Sequence, residues 1–235
     1  MKINRAYKTE LKLNNKEKSL MLQYCGLARF TYNWALAKRM EEYKETKKYS
    51  NAIKQHRELN ILKKTDFAWM YDYSKSVPQN ELRNLDLAFA NFFRRVKSKK
   101  GKAGFPKFKA KKKDNKSFRL DGAVKVSANK IKLPRIGWLR LKEKNYIPTE
   151  NIKILSATIS YLGGKWFVSV QVEEEIVESI RDYTETIGID LGIKTLAVCS
   201  NGEIFENPKA LKNNLVKQKL SKMNFHTPKH HGIEK

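Results

Sequence analysis

Between Ile3 and Leu13 apolar and polar positions alternate, with Ile3, Tyr7, Thr9 and Leu11 on one side, and this period of two predicts a strand. At Asn14 the period changes. Asn14 and Glu17 have the spacing of a capping box, and Leu20, Tyr24, Leu27, Thr31 and Trp34 follow at steps of four and three, so a helix with one apolar face is expected. One or two shorter helices are expected between Tyr49 and Trp69, on Ile53, Leu59, Leu62 and Phe67. Another opens at Ser76-Val77-Pro78-Gln79, where proline is tolerated in the first turn and Gln79 can reach back to the cap. Its stripe is Leu82, Leu85, Phe89, Phe92 and Val96. The N-terminal half reads as a helical module.

From Ser117 the period returns to two. Phe118–Leu120, Val124–Val126, Ile131–Leu133, Trp138–Leu141, Ile152–Ile159 and Trp166–Val172 are short strands, the last two joined as a hairpin through Leu162-Gly163-Gly164-Lys165. A small antiparallel barrel or sandwich is expected. From Thr186 a new unit begins: Ile187–Ile193 alternates into Leu196–Val198, Asn201-Gly202 makes a tight turn before Glu203–Phe205, and a helical stretch follows Pro208 through Leu211, Leu215 and Leu220.

Composition sharpens this picture. The 235 residues carry 49 Lys+Arg against 24 Asp+Glu, a net charge of +25, so a polyanion is the expected partner. The 40% hydrophobic and 11% aromatic content puts that charge on folded units. No run of about 18 apolar residues occurs and Met1–Arg5 lacks an apolar signal core, so no membrane partner and a cytoplasmic, nucleoid-associated location are expected. Cys25 and Cys199 lie in no C-x-x-C pair and read as small buried hydrophobes; the four histidines show no ligand spacing.

Two features carry candidate chemistry. The run from Arg94 to Lys116 holds Arg94, Arg95, Lys107, Lys109, Lys111 and Lys112, with Gly101, Gly104 and Pro106 marking a linker at 97–116. Charges this dense repel one another unless phosphates neutralise them. Phe105 and Phe108 within it either stack on bases or, as favoured here, wedge into the neighbouring barrel. Lys75 and Gln79, at a helix start, suit base edges in a major groove, although a cap and a surface lysine account for them too. The second feature is Asp190 in Gly188-Ile189-Asp190-Leu191-Gly192. An acid on an apolar strand is costly unless it meets a cation or a partner, and Gly192 lets a bulky phosphate approach.

Taken in order, Arg29–Trp34, Val77–Gln79 through Leu82–Arg94, Gly104–Lys109, Ser117–Leu120, Leu133–Gly137 and Gly188–Lys194 resemble the TnpB family, the transposon-encoded OrfB proteins that are RNA-guided DNA nucleases related to type V CRISPR effectors. The resemblance covers residues 1 to about 223. It implies an α+β fold: a first strand at 1–13, a helical, helix-turn-helix-like recognition lobe at 14–110 inserted into an antiparallel wedge barrel completed by 117–185, and at 186–223 the first hairpin of an incomplete RuvC (ribonuclease-H-like) domain, with a divergent tail at 224–235. It further implies Asp190 as catalytic carboxylate and metal ligand for Mg2+ or Mn2+, Tyr49, Lys75 and Gln79 as readers of a short motif flanking the target DNA, and the basic linker and barrel as the hold on guide RNA and heteroduplex.

The family's later Glu and Asp and its four-cysteine zinc ribbon find no counterpart in the sequence, and Glu203 and Glu206 are too close to Asp190 to be that Glu. The expectation is intact nucleic-acid binding with incomplete catalysis, through a frameshift near residue 231, where one back-translation of His231–Glu234 read two bases along gives Trp-Tyr-Arg. A nuclease-dead, RNA-guided DNA-binding repressor is the alternative, and an actin-like ATPase fragment a weaker one.

Overall fold

In the computed structural model, residues 1–98, 103–112, 116–175 and 186–224 are described. Lys99, Lys100, Gly101, Lys102, Lys113, the end of the expected barrel segment and the tail from 225 lie outside them. The chain divides into two units, Met1–Glu178 and Ser179–Lys235.

The first unit opens on β1 (Lys2–Lys12), where of the expected inward set Thr9 and Leu11 are buried and Ile3 and Tyr7 half-buried, while Lys2, Asn4, Ala6, Lys8 and Lys12 are exposed. Asn14 then caps α1 (Asn15–Thr46): its side chain accepts from the Glu17 amide at 2.9 Å while the Glu17 carboxylate accepts from the Asn14 amide at 2.8 Å. The single apolar face expected of α1 is too narrow. Met21, Cys25, Ala28, Tyr32, Ala35 and Leu36 are buried beside Tyr24, Leu27 and Thr31, because α1 packs against both α3 (Ser76–Ser98) and β2 (Ser117–Asp121). The expected shorter helices are α2 (Ala52–Leu62) and a 3-10 turn at Ala68–Asp72. On α3, Leu82, Leu85 and Phe89 are buried but Val96 is half exposed, so the helix leaves the core in its last turns.

The sheet adds β3 (Lys125–Ser127), β4 (Lys130–Leu133), β5 (Gly137–Leu141), β6 (Ile152–Leu162) and β7 (Lys165–Glu175). It is antiparallel throughout, in the order β2-β6-β7-β1-β5-β4-β3. β1 pairs along β7 from Lys2 to Leu11 and passes to β5 only at Leu11 and Lys12, so the helices are an insertion between the sheet's central strand and its edge strand β2. The barrel expectation is corrected in one respect: β2 and β3 end the sheet, and no backbone register joins them among the described residues. β3 spans only three residues, all of which pair with β4. Trp166, Val168, Val170 and Val172 of β7 line the core, and Tyr24 of α1 stacks on Phe118 of β2 with ring centroids 5.0 Å apart. That contact fixes the helical lobe onto the sheet.

The second unit, taken by itself, is a three-stranded sheet of β8 (Ile189–Leu191), β9 (Thr195–Cys199) and β10 (Ile204–Glu206), followed by α4 (Ala210–Asn224). Gly202, at φ 87°, makes the expected turn, with the Asn201 side chain accepting from the Glu203 amide.

Candidate nucleic-acid interface

Where α2, the start of α3 and the sheet meet, they enclose a cleft of about 700 Å3. The helices contribute Lys63, Lys75 and Gln79, and the sheet contributes Asp121, the Gly122-Ala123 turn and Arg135. Lys63 is 5% exposed, and burial pushes its ammonium below the ordinary lysine range. Among the described residues no carboxylate lies within ion-pair distance of Lys63, Lys75 or Arg135. Asp121, the acid of the cleft, is already engaged by Arg119 at 3.0 Å and by the Asn80 amide at 2.7 Å. Lys75 and Arg135 are exposed without an ion-pair partner among the described residues, while Lys63 is buried in the cleft wall; a polyanion bound there would stabilise the two exposed cations.

Arg135 is presented in an unusual way. Pro134 and Arg135 are the inner residues of a turn in which Ile136 N–H donates to the Leu133 carbonyl at 3.2 Å, and Arg135 has φ 64°. A turn with proline second and a positive φ third ordinarily takes glycine there, so an arginine at this point holds local backbone strain of the kind found at ligand sites.

The expected site residues separate. Lys75 and Gln79 share the cleft. Tyr49 does not line it: it stacks on Phe89 and Phe93, centroids 5.9 and 6.1 Å apart, in a different, apolar cavity of about 590 Å3. Gln79 does not return to the helix cap; its amide nitrogen lies 3.3 Å from His56 Nε2, a partner on α2 that spacing along the chain does not reveal. Burial, then the positive charges of Lys63, Arg83 and Lys75, push the His56 imidazole below its ordinary pKa.

The basic run also divides. Arg94, Arg95, Lys107, Lys111 and Lys112 are exposed. Lys109 is not available in the same sense. Its ammonium donates to Glu81 at 2.9 Å and sits 4.6 Å from the Tyr32 ring centroid, while its backbone exchanges two hydrogen bonds with the Asn33 side chain. It fastens the linker to α1 and α3. Phe105 packs edge-on to Phe89 and Phe92 of α3, at 5.5 and 5.4 Å, and so wedges against a helix, not against the sheet as expected.

Asp190 is exposed on β8, opposite Val198. Ile189 and Leu191 beside it are 59% and 76% exposed, so the desolvation cost that singled it out is not incurred within this unit. Gly192 has a different role from the one expected: a Cβ there would lie 2.8 Å from the Thr195 carbonyl oxygen, so the tight β8–β9 connection itself requires glycine. Among the described residues no group of three His, Cys, Asp or Glu could hold a metal ion, so Asp190 alone does not fit the expected Mg2+ or Mn2+ centre. Cys25 and Cys199 are buried, as their composition suggests. No helix among the described residues is long and apolar enough to cross a membrane.

The first unit is a mixed helix-and-sheet fold that brings Lys75, Gln79 and Arg135 to one cleft. Residues 1–48 match the family described as a helix-turn-helix domain, HTH_OrfB_IS605. These residues hold β1 and α1, and the next helix, α2, begins beyond them. The sequence is 31% identical over 226 residues to the candidate RNA-guided DNA endonuclease InsQ of Escherichia coli (strain K12), covering 95% of this chain and 53% of that protein. It is 29% identical over 216 residues to a candidate RNA-guided DNA endonuclease of Streptomyces pristinaespiralis, covering 88% and 50%. A chain from the cryo-EM structure of the Cas12f1–sgRNA–target DNA complex aligns with a TM-score of 0.42 at 15% identity, over 96% of this chain and 63% of that one. This chain belongs to the TnpB family. It spans about half the length of the curated relatives it matches.

Proposed function

We propose that the chain is the nucleic-acid-binding portion of a TnpB-type RNA-guided DNA endonuclease. In this reading the sheet and its inserted helices are the wedge and recognition lobes. The cleft at their junction takes the DNA duplex flanking the target, with exposed Lys75 and Arg135 on phosphates and Gln79 on a base edge. Exposed Arg94, Arg95, Lys107, Lys111 and Lys112 hold guide RNA or heteroduplex backbone. The observation that carries it is the cleft: two exposed cations, Lys75 and Arg135, with no carboxylate partner among the described residues, next to an amide able to read a base.

The β8–β10 unit is assigned as the opening of a RuvC-type domain, with Asp190 as its first carboxylate. The exposed apolar side chains Ile189, Leu191 and Ile193 suit a sheet covered within a larger domain. A two-ion centre needs several carboxylates to hold its metals about 4 Å apart. Asp190 is proposed as one of those carboxylates.

The test uses the chain with the RNA that co-purifies with it. Binding should weaken steeply with salt, by about 0.7 to 0.9 log units per log unit of salt for each phosphate contacted. On duplexes matched to that RNA and randomised in the flank, Lys75→Ala with Gln79→Ala should abolish flank preference while RNA binding persists. A flat salt response, no co-purifying RNA, or a flank preference untouched by the double substitution would overturn the reading.

A further inference from the structure

We propose that His56 is a positioning residue for base recognition: its imidazole fixes which end of the Gln79 amide faces the cleft, and so which bases Gln79 accepts. The inference rests on the reading of the cleft as the site for flanking DNA. Neither residue lies close to the other in sequence, yet α2 and α3 bring His56 Nε2 within 3.3 Å of the Gln79 amide nitrogen. An amide nitrogen cannot accept a hydrogen bond, so the ring nitrogen facing it must be the acceptor and the imidazole proton must sit on Nδ1. Gln79 then turns its carbonyl oxygen outward. An outward acceptor reads a donor on the base edge, the amino group of adenine or cytosine.

Protonation reverses the arrangement. The imidazolium carries N–H at both positions, and an N–H facing an NH2 group is repelled, so the amide must turn over to present its oxygen to the ring. Gln79 then offers NH2 to the cleft and reads acceptors, the purine N7, guanine O6 or thymine O4. The charged groups around the ring are Lys63 at the end of α2, Lys75 before α3, Arg83 on α3, and across the cleft Arg135 and Asp121, the latter engaged by Arg119 and Asn80. Burial and the cations disfavour the imidazolium, so the ring is neutral at neutral pH and the change falls below its ordinary value of about 6.5.

The experiment selects flank sequences with the chain and its co-purified RNA at about pH 7.5 and about pH 5.5, on either side of the ordinary imidazole range. At the higher pH one flank position should favour adenine or cytosine by about tenfold, and at the lower pH that preference should collapse or move to guanine or thymine. Gln79→Glu, an acceptor at either pH, should keep the adenine-or-cytosine preference at both. His56→Phe, which fills the space but cannot hold the amide, should broaden it at both. Nitrogen-detected NMR of the free chain should show His56 protonated on Nδ1. A preference unchanged at a pH where the same NMR shows the His56 ring doubly protonated, or a neutral His56 protonated on Nε2, overturns the role of His56 and leaves the cleft reading standing. Absence of flank preference at any pH overturns the cleft reading and this one with it.

Discussion

Replacing Lys109 with alanine should unfold more than it unbinds. The Glu81 side chain is 6% exposed and that of Lys109 is 29% exposed, so the alanine removes the cation from a carboxylate that water barely reaches. Breaking a fully buried pair costs about 3–5 kcal/mol. Here the loss is smaller, because Lys109 is partly solvated and Glu81 keeps a hydrogen bond from Asn84 at 3.2 Å. About 2–3 kcal/mol remains, and losing the ammonium over Tyr32 adds about 0.5–1 kcal/mol. Urea unfolding followed by helical circular dichroism should record that loss, with Lys109→Arg recovering part of it. The salt dependence of RNA binding should stay unchanged. The triple replacement of Lys107, Lys111 and Lys112 should do the opposite, leaving stability within about 0.5 kcal/mol and flattening the log K against log salt slope by about 2 to 3 units, one contact each. A Lys109→Ala protein as stable as the parent but with a flattened slope would refute the division of the basic run into a structural clamp and a phosphate-binding set.

Asp86→Ala removes the partner of Arg39, 1% exposed at its side chain, and the acceptor of the Ala52 amide, so it should cost about 3 kcal/mol in the same unfolding assay. Arg39→Met should cost less, since the carboxylate it leaves is 38% exposed; the reverse order would contradict the packing of α1 on α3. Arg135→Gly should relieve the left-handed backbone and raise stability by about 1 kcal/mol while lowering the salt slope by about one unit, and loss of stability would show that the turn is unstrained. Gly192→Ala should disorder the β8–β9 hairpin, since the new methyl meets a backbone oxygen 2.8 Å away; unchanged protease resistance across Ile187–Cys199 would argue against that close approach.

Much of the fold is legible in the sequence because it is decided within a few residues. The Thr9 and Leu11 alternation, the Asn14–Glu17 capping box, the Gly163-Gly164 hairpin and the Asn201-Gly202 turn each depend on neighbours no more than four positions away. The excess of Lys and Arg is likewise independent of folding, and it implies a polyanion whatever the architecture. The width of α1's buried surface is not local, since it depends on which elements settle on it, and neither is the order of the sheet, where no backbone register joins edge strands β2 and β3 among the described residues. The site is less legible still. Lys109 and Glu81 are 28 residues apart, and His56 and Gln79 are 23 apart. A lysine looks the same in sequence whether its ammonium faces solvent or a buried carboxylate, because side-chain hydrogen bonds and ion pairs form only across distances that tertiary packing sets. For that reason composition predicted the kind of partner, while the fold decided that Lys109 holds the protein together, that Tyr49 lies apart from Lys75 and Gln79, and that His56 stands behind the amide facing the cleft.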